Sequence, residues 1–286
     1  MSKDKKILLV ALIFLMLLAG CVAYYLLNIH RPQQFKITYL DIGQGDATLI
    51  QFNNGQKMLV DCGPDRKILS RLGEVLPFYD RTIDYLIDTH PDLDHYGGCI
   101  DVLKNYTVKE IITNGHTKPD SFWATFEVAI QSEGAVLKTM EEPEVWQIGS
   151  STLEFLSPDK NLVMNLDADD SNNYSIVFRL QNNNEKFLFT ADMEVLLENA
   201  LIHKYCVVTS TVPCPALQAD VLKVGHHGSD SSSGEDFLRA VGAKLGIISV
   251  GAHNKYGHPS RRVLKKLERA SMQILRTDQV GSIVEL

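Results

Sequence analysis

The longest apolar run in the chain, Ile7 to Leu27, carries no charged residue and follows the basic start Lys3, Lys5 and Lys6. About 20 such residues span a bilayer, so residues 1–28 are expected to form a signal anchor with its basic end in the cytoplasm. Leu18-Ala19-Gly20-Cys21 also fits a lipobox, with Cys21 as the lipidated residue of a lipoprotein signal. The apolar residues that continue past Cys21 favour the anchor. Both alternatives tether the chain to the cell membrane and put residues 35–286 outside the cytoplasm, with 29–34 as a linker.

Beyond the linker the pattern shortens. Phe35 to Asp41 and Asp46 to Phe52 read as strands joined through Gly43-Gln44-Gly45, and Lys57 to Asp61 as a third beyond the turn Asn53-Asn54-Gly55. A helix over Lys67 to Leu76, strands over Ile83 to Asp88 and Val108 to Thr113, and a helix over Ser121 to Gln131 follow. In the second half, Thr152 to Leu156, Tyr174 to Leu180, Lys186 to Thr190, Asp220 to Val224, Leu245 to Val250, Met272 to Leu275 and Ser282 to Leu286 read as strands. Helices are expected over Glu194 to His203, Glu235 to Val241 and Arg261 to Ala270, and a polar loop over Asn161 to Asn173. Ser232 with Glu235 predicts a capping box, and Ser260 an N-cap. Two β-rich halves with helices outside predict an α+β fold, two sheets packed face to face between helical layers.

At 45% hydrophobic and 22% charged residues, the chain has an ordinary globular balance. Its net charge of −7 argues against broad nucleic-acid affinity, so any such binding must be local or metal-assisted. Setting Cys21 aside, Cys62, Cys99, Cys206 and Cys214 permit two disulfides in an oxidising compartment. Cys206 and Cys214 are the favoured pair, and Cys62 and Cys99 candidate neighbours. Four free thiols are the alternative.

Thr89 to Gly98, Thr-His-Pro-Asp-Leu-Asp-His-Tyr-Gly-Gly, places His90, Asp92, Asp94 and His95 within a few positions. Alternate side chains of an extended loop share a face, so His90, Asp92 and Asp94 converge while His95 enters from the start of a helix. Imidazole with carboxylate suits divalent zinc, manganese or iron. Three later strands also end in polar clusters: at Asp192, at His226-His227-Gly228-Ser229, and at Asn254, Tyr256 and His258. Loops at strand ends are where sites usually sit, and these four are expected to line one cleft.

The opening motif, with Asp41-Ile42-Gly43-Gln44-Gly45-Asp46-Ala47 upstream, resembles the metallo-β-lactamase superfamily, and within it the soluble domain of ComEC-type competence proteins. Asn172-Asn173-Tyr174-Ser175, Thr190-Ala191-Asp192, His226-His227-Gly228-Ser229 and Tyr256-Gly257-His258-Pro259 follow in that family's order. The resemblance covers Phe35 to Leu286 and implies a four-layer αββα sandwich with a metal site at one edge of the sheets. It implies one or two divalent ions held by His90, Asp92, Asp94, His95 and Asp192, with His226 ahead of His227 completing the second. Two departures stand out. Asp92 replaces the second histidine of His-x-His-x-Asp-His, and no histidine lies between His116 and His203. The extra carboxylate hardens the site, so manganese stands beside zinc, with magnesium a further option. The many membrane helices of competence proteins are missing, so no DNA channel is expected of this sequence.

A metal would activate a water and polarise the bond it attacks. Asp92 or Asp94 would orient that water, and His258 would serve as general acid or as a further ligand. Arg261, Lys265 and Arg269 recur at helical spacing, a basic stripe suited to phosphate. With Asn173, Ser175, Ser229 and Tyr256, Arg261 and Lys265 make up the candidate substrate-binding set. The expected function is a membrane-tethered metal-dependent phosphodiesterase, with DNA the leading substrate. The alternatives are a hydrolase of a choline-phosphate or cell-wall phosphodiester, and a non-catalytic binding domain of the same fold. The missing histidine ligands argue against β-lactam cleavage.

Overall fold

A computed structural model describes residues 2–29, 33–163, 171–206 and 213–286. The chain divides into two units, Met1–Gln33 and Gln34–Leu286. In the first, helix α1 (Lys3–Ile29) contains a stretch, Lys3–Ala23, long and apolar enough to cross a membrane. Residues 30–32 of the expected linker, and residues 164–170 of the expected polar loop, lie outside the described residues.

The second unit is built on two seven-stranded mixed sheets. The first begins with β1 (Lys36–Tyr39), β2 (Thr48–Gln51), β3 (Lys57–Val60), β4 (Thr82–Asp88), β5 (Thr107–Thr113) and β6 (Val136–Thr139). The second holds β7 (Val145–Ile148), β8 (Ser151–Ser157), β9 (Val177–Asn182), β10 (Glu185–Phe189), β11 (Val221–Lys223), β12 (Leu245–Ile248) and β13 (Gln273–Arg276). The last strand, β14 (Ile283–Glu285), returns to the first sheet and pairs antiparallel with β1. β3 through β6 run parallel, as do β10 through β13. Parallel strands gather their C-terminal ends along one edge of each sheet, and the polar clusters of the sequence fall at those ends.

The strand residues predicted to be apolar on one face meet between the sheets. Tyr39 and Phe178 both stack on Phe189, at centroid distances of 6.1 and 4.6 Å, joining the two sheets through one aromatic column. Each such ring contributes about 1.5–3 kcal/mol by leaving water. On the outer face of the first sheet pack α2 (Lys67–Val75), α4 (Cys99–Asn105) and α5 (Ser121–Glu133), and the single turn α3 (Leu93–Tyr96) lies between β4 and α4 in the chain. Asp120 caps α5 by accepting from the Trp123 N–H at 2.8 Å. The second sheet is covered by α7 (Val195–Tyr205), α8 (Glu235–Val241) and α9 (Arg261–Arg269), with the short α6 (Lys160–Val163) and α10 (Thr277–Val280) nearby in sequence. The result is the αββα sandwich.

Several local expectations change. Ser260 caps α9 through the Val263 N–H as expected. Ser232 forms no capping box: Gly234 is the N-cap of α8, and the Ser232 hydroxyl donates to Gly225 O instead. The freed N–H groups of Ser233 and Gly234 go to the buried carboxylate of Glu198. Strands β6 and β7 were not expected. Both cysteine pairs are bonded, Cys62 to Cys99 and Cys206 to Cys214, with Cα separations of 5.2 and 5.5 Å.

Candidate metal centre

The Thr89–Gly98 loop is held by main chain from three directions. Asp46 N donates to Asp94 O at 3.1 Å, Cys62 N to His95 O at 2.7 Å, and Ile176 N to Thr89 O at 3.0 Å. The glycines around it are there for close approach. A Cβ on Gly45, whose φ is +125°, would lie 2.2 Å from Asp94 O, and Cβ atoms on Gly97 and Gly98 would lie 2.3 Å from Pro64 O and Cys62 O. Nothing larger fits at these contacts.

Four histidines turn their Nε2 atoms toward one carboxylate. Asp192 oxygens lie 3.4 Å from His95 Nε2, 3.5 Å from His227, 3.7 Å from His226 and 4.0 Å from His90. The opposite nitrogens are engaged. His95 Nδ1 donates to Asp61 at 2.8 Å, His227 Nδ1 to Ser249 O at 3.0 Å, and His226 Nδ1 to Glu194 at 3.1 Å. The Thr89 hydroxyl spends its proton on Asp61, so it accepts from His90 Nδ1 at 3.1 Å. Fixing Nδ1 in this way orients each ring and points Nε2 at a ligand position.

The residues fit a divalent ion. Among the described residues, the Nε2 atoms of His90, His95 and His227 and the Oδ1 atom of Asp192 are buried without a hydrogen-bond partner. Buried polar atoms are rarely left so, and here they converge. Candidate ligand atoms of His90, His95 and Asp192 lie within 4.8 Å of one another, as do those of Asp94, His95 and His227. Burial opposes charge on His227, but Asp192 and Asp46 outweigh it and raise its pKa to about 10. Burial likewise works against ionised Asp94, yet His227 and His95 bring it down to about 2. Backbone strain marks the same place: Asp61, Ala191, His226 and His227 all have φ between +46° and +57°, a region costly for residues other than glycine.

Among the predicted residues, His90, Asp94, His95 and Asp192 fall in overlapping candidate ligand groups. The preference between the two adjacent histidines reverses. His227 is buried within the ligand groups, whereas His226 reaches Asp192 from a half-exposed position. Asp92 is not part of any ligand group among the described residues. Its carboxylate accepts from Lys118 and from Ser171 Oγ instead. His258 lies outside the cluster, its ring 5.7 Å from that of His226.

Of the substrate-binding set, Tyr256 is exposed and lines a cavity of about 400 Å³ together with Asp94. Asn173 is buried and structural: its Oδ1 accepts from Glu194 N and Leu197 N at the start of α7. Ser175 is buried, and the Ser229 hydroxyl pairs with Ser231 at 2.9 Å. Arg261 and Lys265 are exposed, with no ion pair among the described residues, while Arg262 and Arg269 on the same helix pair with Asp230 and Glu235.

The supporting layer was not singled out from sequence. Asp61 follows β3 as Asp192 follows β10, and that shared position after a strand was the available signal. Asp46 sits in the Gly43-Gln44-Gly45 turn motif, where Lys223 Nζ donates to it at 2.8 Å in a fully buried pair.

Comparison with known proteins accords with this geometry. Residues 40–253 match the family model of the Metallo-beta-lactamase superfamily. The chain is 32% identical over 283 residues to ComE operon protein 3 of Bacillus subtilis, which covers 92% of this chain and 34% of that protein. It is 29% identical over 282 residues to competence protein ComA of Neisseria gonorrhoeae, covering 94% of this chain and 34% of that one. It thus spans about a third of the length of these relatives. The metallo-beta-lactamase fold protein YhfI of Bacillus subtilis superposes with a TM-score of 0.57 at 14% identity, covering 88% of this chain and 99% of that structure, a likeness of fold. On its matched family model, its two-sheet architecture and its relatives, the chain belongs to the metallo-beta-lactamase superfamily.

Proposed function

We propose that the chain is a metal-dependent phosphodiesterase tethered to the membrane by α1, with its second unit outside the cytoplasm. The observation that carries this reading is the set of buried, unpartnered ligand atoms on His90, His95, His227 and Asp192. Three imidazoles with Asp94 and Asp192 suit zinc or manganese. An ion held there supplies Lewis acidity and an acidified water.

The chain's own groups do the rest. Asp94 belongs both to the ligand cluster and to the wall of the adjoining cavity, a position from which it orients the attacking water toward the substrate. His258, close to His226 but outside the cluster, delivers a proton to the leaving oxygen. Exposed Arg261 and Lys265 on α9 draw in the anionic diester. Relatives named for competence favour DNA as that diester.

The test uses the detergent-solubilised full chain, stripped with chelator and reloaded with Mn²⁺, Zn²⁺ or Mg²⁺. Metal-stimulated cleavage of bis-p-nitrophenyl phosphate or DNA, abolished by Asp94→Ala, is expected. Absence of metal-stimulated turnover on any phosphodiester overturns the reading.

A further inference from the structure

We propose that the cavity beside the metal centre is a nucleobase subsite with Tyr256 as its stacking platform, so that the substrate is a single-stranded nucleic acid. The inference rests on the phosphodiesterase reading and names its substrate class.

Asp94 is shared between this cavity and the ligand cluster, so an occupant abuts the reacting centre. Two large apolar side chains in its lining face solvent: Tyr256 is 57% exposed and Leu93 42%. Leu93 is the one exposed residue of the Thr89–Gly98 motif, placed between two aspartates. A flat ring that is more than half exposed, with an aliphatic neighbour, is a surface on which any base can stack, because every base has a π-face. Bases within a duplex are already stacked on both sides, so the arrangement selects an unpaired strand.

The platform is built, not incidental. Asn254 Oδ1 accepts from Tyr256 N at 3.2 Å and His258 N at 2.9 Å, while its Nδ2 donates to Gly251 O and His258 O at 2.9 and 2.7 Å. Gly251 is pressed against the β1–β2 turn, where a Cβ would lie 2.8 Å from Gln44 N. Tyr256 and His258 are held parallel within 11°, with centroids 5.8 Å apart, so the platform adjoins the proposed proton donor.

Charge narrows the ligand further. Lys255 Nζ lies 5.2 Å from the Tyr256 ring centroid. An ammonium beside the ring disfavours a choline-type cation and favours a ligand that joins its base to phosphate.

The full chain, reloaded with Mn²⁺, is assayed on a single-stranded oligonucleotide, the same strand with abasic sites, and its duplex. Anisotropy with labelled strands measures binding in parallel. Loss of bases is expected to raise KM and Kd about 10- to 100-fold with kcat nearly constant. Tyr256→Ala is expected to erase that difference and Tyr256→Phe to retain it. Equal treatment of abasic and intact strands, or a base preference that survives in Tyr256→Ala, overturns the subsite. Base-dependent binding without cleavage of any strand supports the subsite and overturns the phosphodiesterase reading, so the two failures are distinct.

Discussion

Lys118 and Asp92 form an ion pair beside the histidine cluster. The Lys118 ammonium group pairs with Asp92 Oδ1, and Ser171 Oγ donates to the same oxygen at 2.7 Å. Asp92 is thereby tied to the loop after β5. A cation that occupies Asp92 competes with an ion for it. Lys118→Met is predicted to tighten divalent-ion binding by up to about fivefold, the equivalent of one partly exposed ion pair. Titration calorimetry on the metal-stripped chain measures this, and weaker binding in the variant contradicts it.

Asp61 orients His95 without reaching the ligand position. Asp61→Asn keeps the volume but can present an N–H to Nδ1 and reverse the tautomer. Outer-layer changes of this kind cost about 10- to 100-fold in metal affinity. Competition against a fluorescent chelator reads the loss directly, and an unchanged affinity counts against the assignment.

His258 is assigned proton donation and no ligand role. His258→Ala is expected to lower kcat by about 10²- to 10⁴-fold at full metal occupancy. Elemental analysis of the purified variant separates the roles, since a ligand would take bound metal with it.

The pair Lys223–Asp46 lies beneath the site, both side chains buried. Lys223→Met strands a carboxylate in the interior, and about 3–5 kcal/mol of stability is expected to go with it. Burial works against ionised Asp46, but Lys223 and His227 overcome it and hold its pKa well below the usual carboxylate range. A depressed folded-state pKa contributes stability that is present above the unfolded value, about 4, and fades as pH falls toward the folded one. Denaturant melts of wild type and variant are therefore predicted to converge on acidification. A constant difference between pH 7 and pH 3 contradicts the assignment.

The Cys62–Cys99 bond closes a loop across 37 positions and spans the metal-binding motif. Removing it as the Cys62→Ala, Cys99→Ala pair is expected to cost about 4 kcal/mol by the chain-entropy relation. Thermal melts without reductant should show this drop between wild type and the double variant, and reductant should lower wild type by more than the double variant, in which only Cys206–Cys214 remains to be broken.

Much of the site is legible in sequence because its members cluster locally. His90, Asp94 and His95 share one loop, and Asp192 and His227 each follow a strongly apolar strand. The supporting residues are not local. Asp61 reaches His95 because β3 and β4 run parallel, a pairing that no spacing rule announces. Asp92 misled through its position: its partner Lys118 comes from the loop after β5. Asn173 looked available for substrate, yet helix α7 needs it for its first N–H groups. Strands β6 and β7 escaped because they alternate too weakly. β6 has three exposed residues of four and β7 two, so neither shows a clean apolar face. The capping box at Ser232 failed because tertiary contacts outbid a local hydrogen bond.

The main-chain clamp on Thr89–Gly98 sets the relation between ion and protein. In small zinc modules the ion is the scaffold, and without it the chain is unfolded. Here glycine contacts, a disulfide and hydrogen bonds from neighbouring loops hold the ligand positions before any ion arrives. The ion is therefore a guest of a finished cradle. Its removal is expected to leave the host folded.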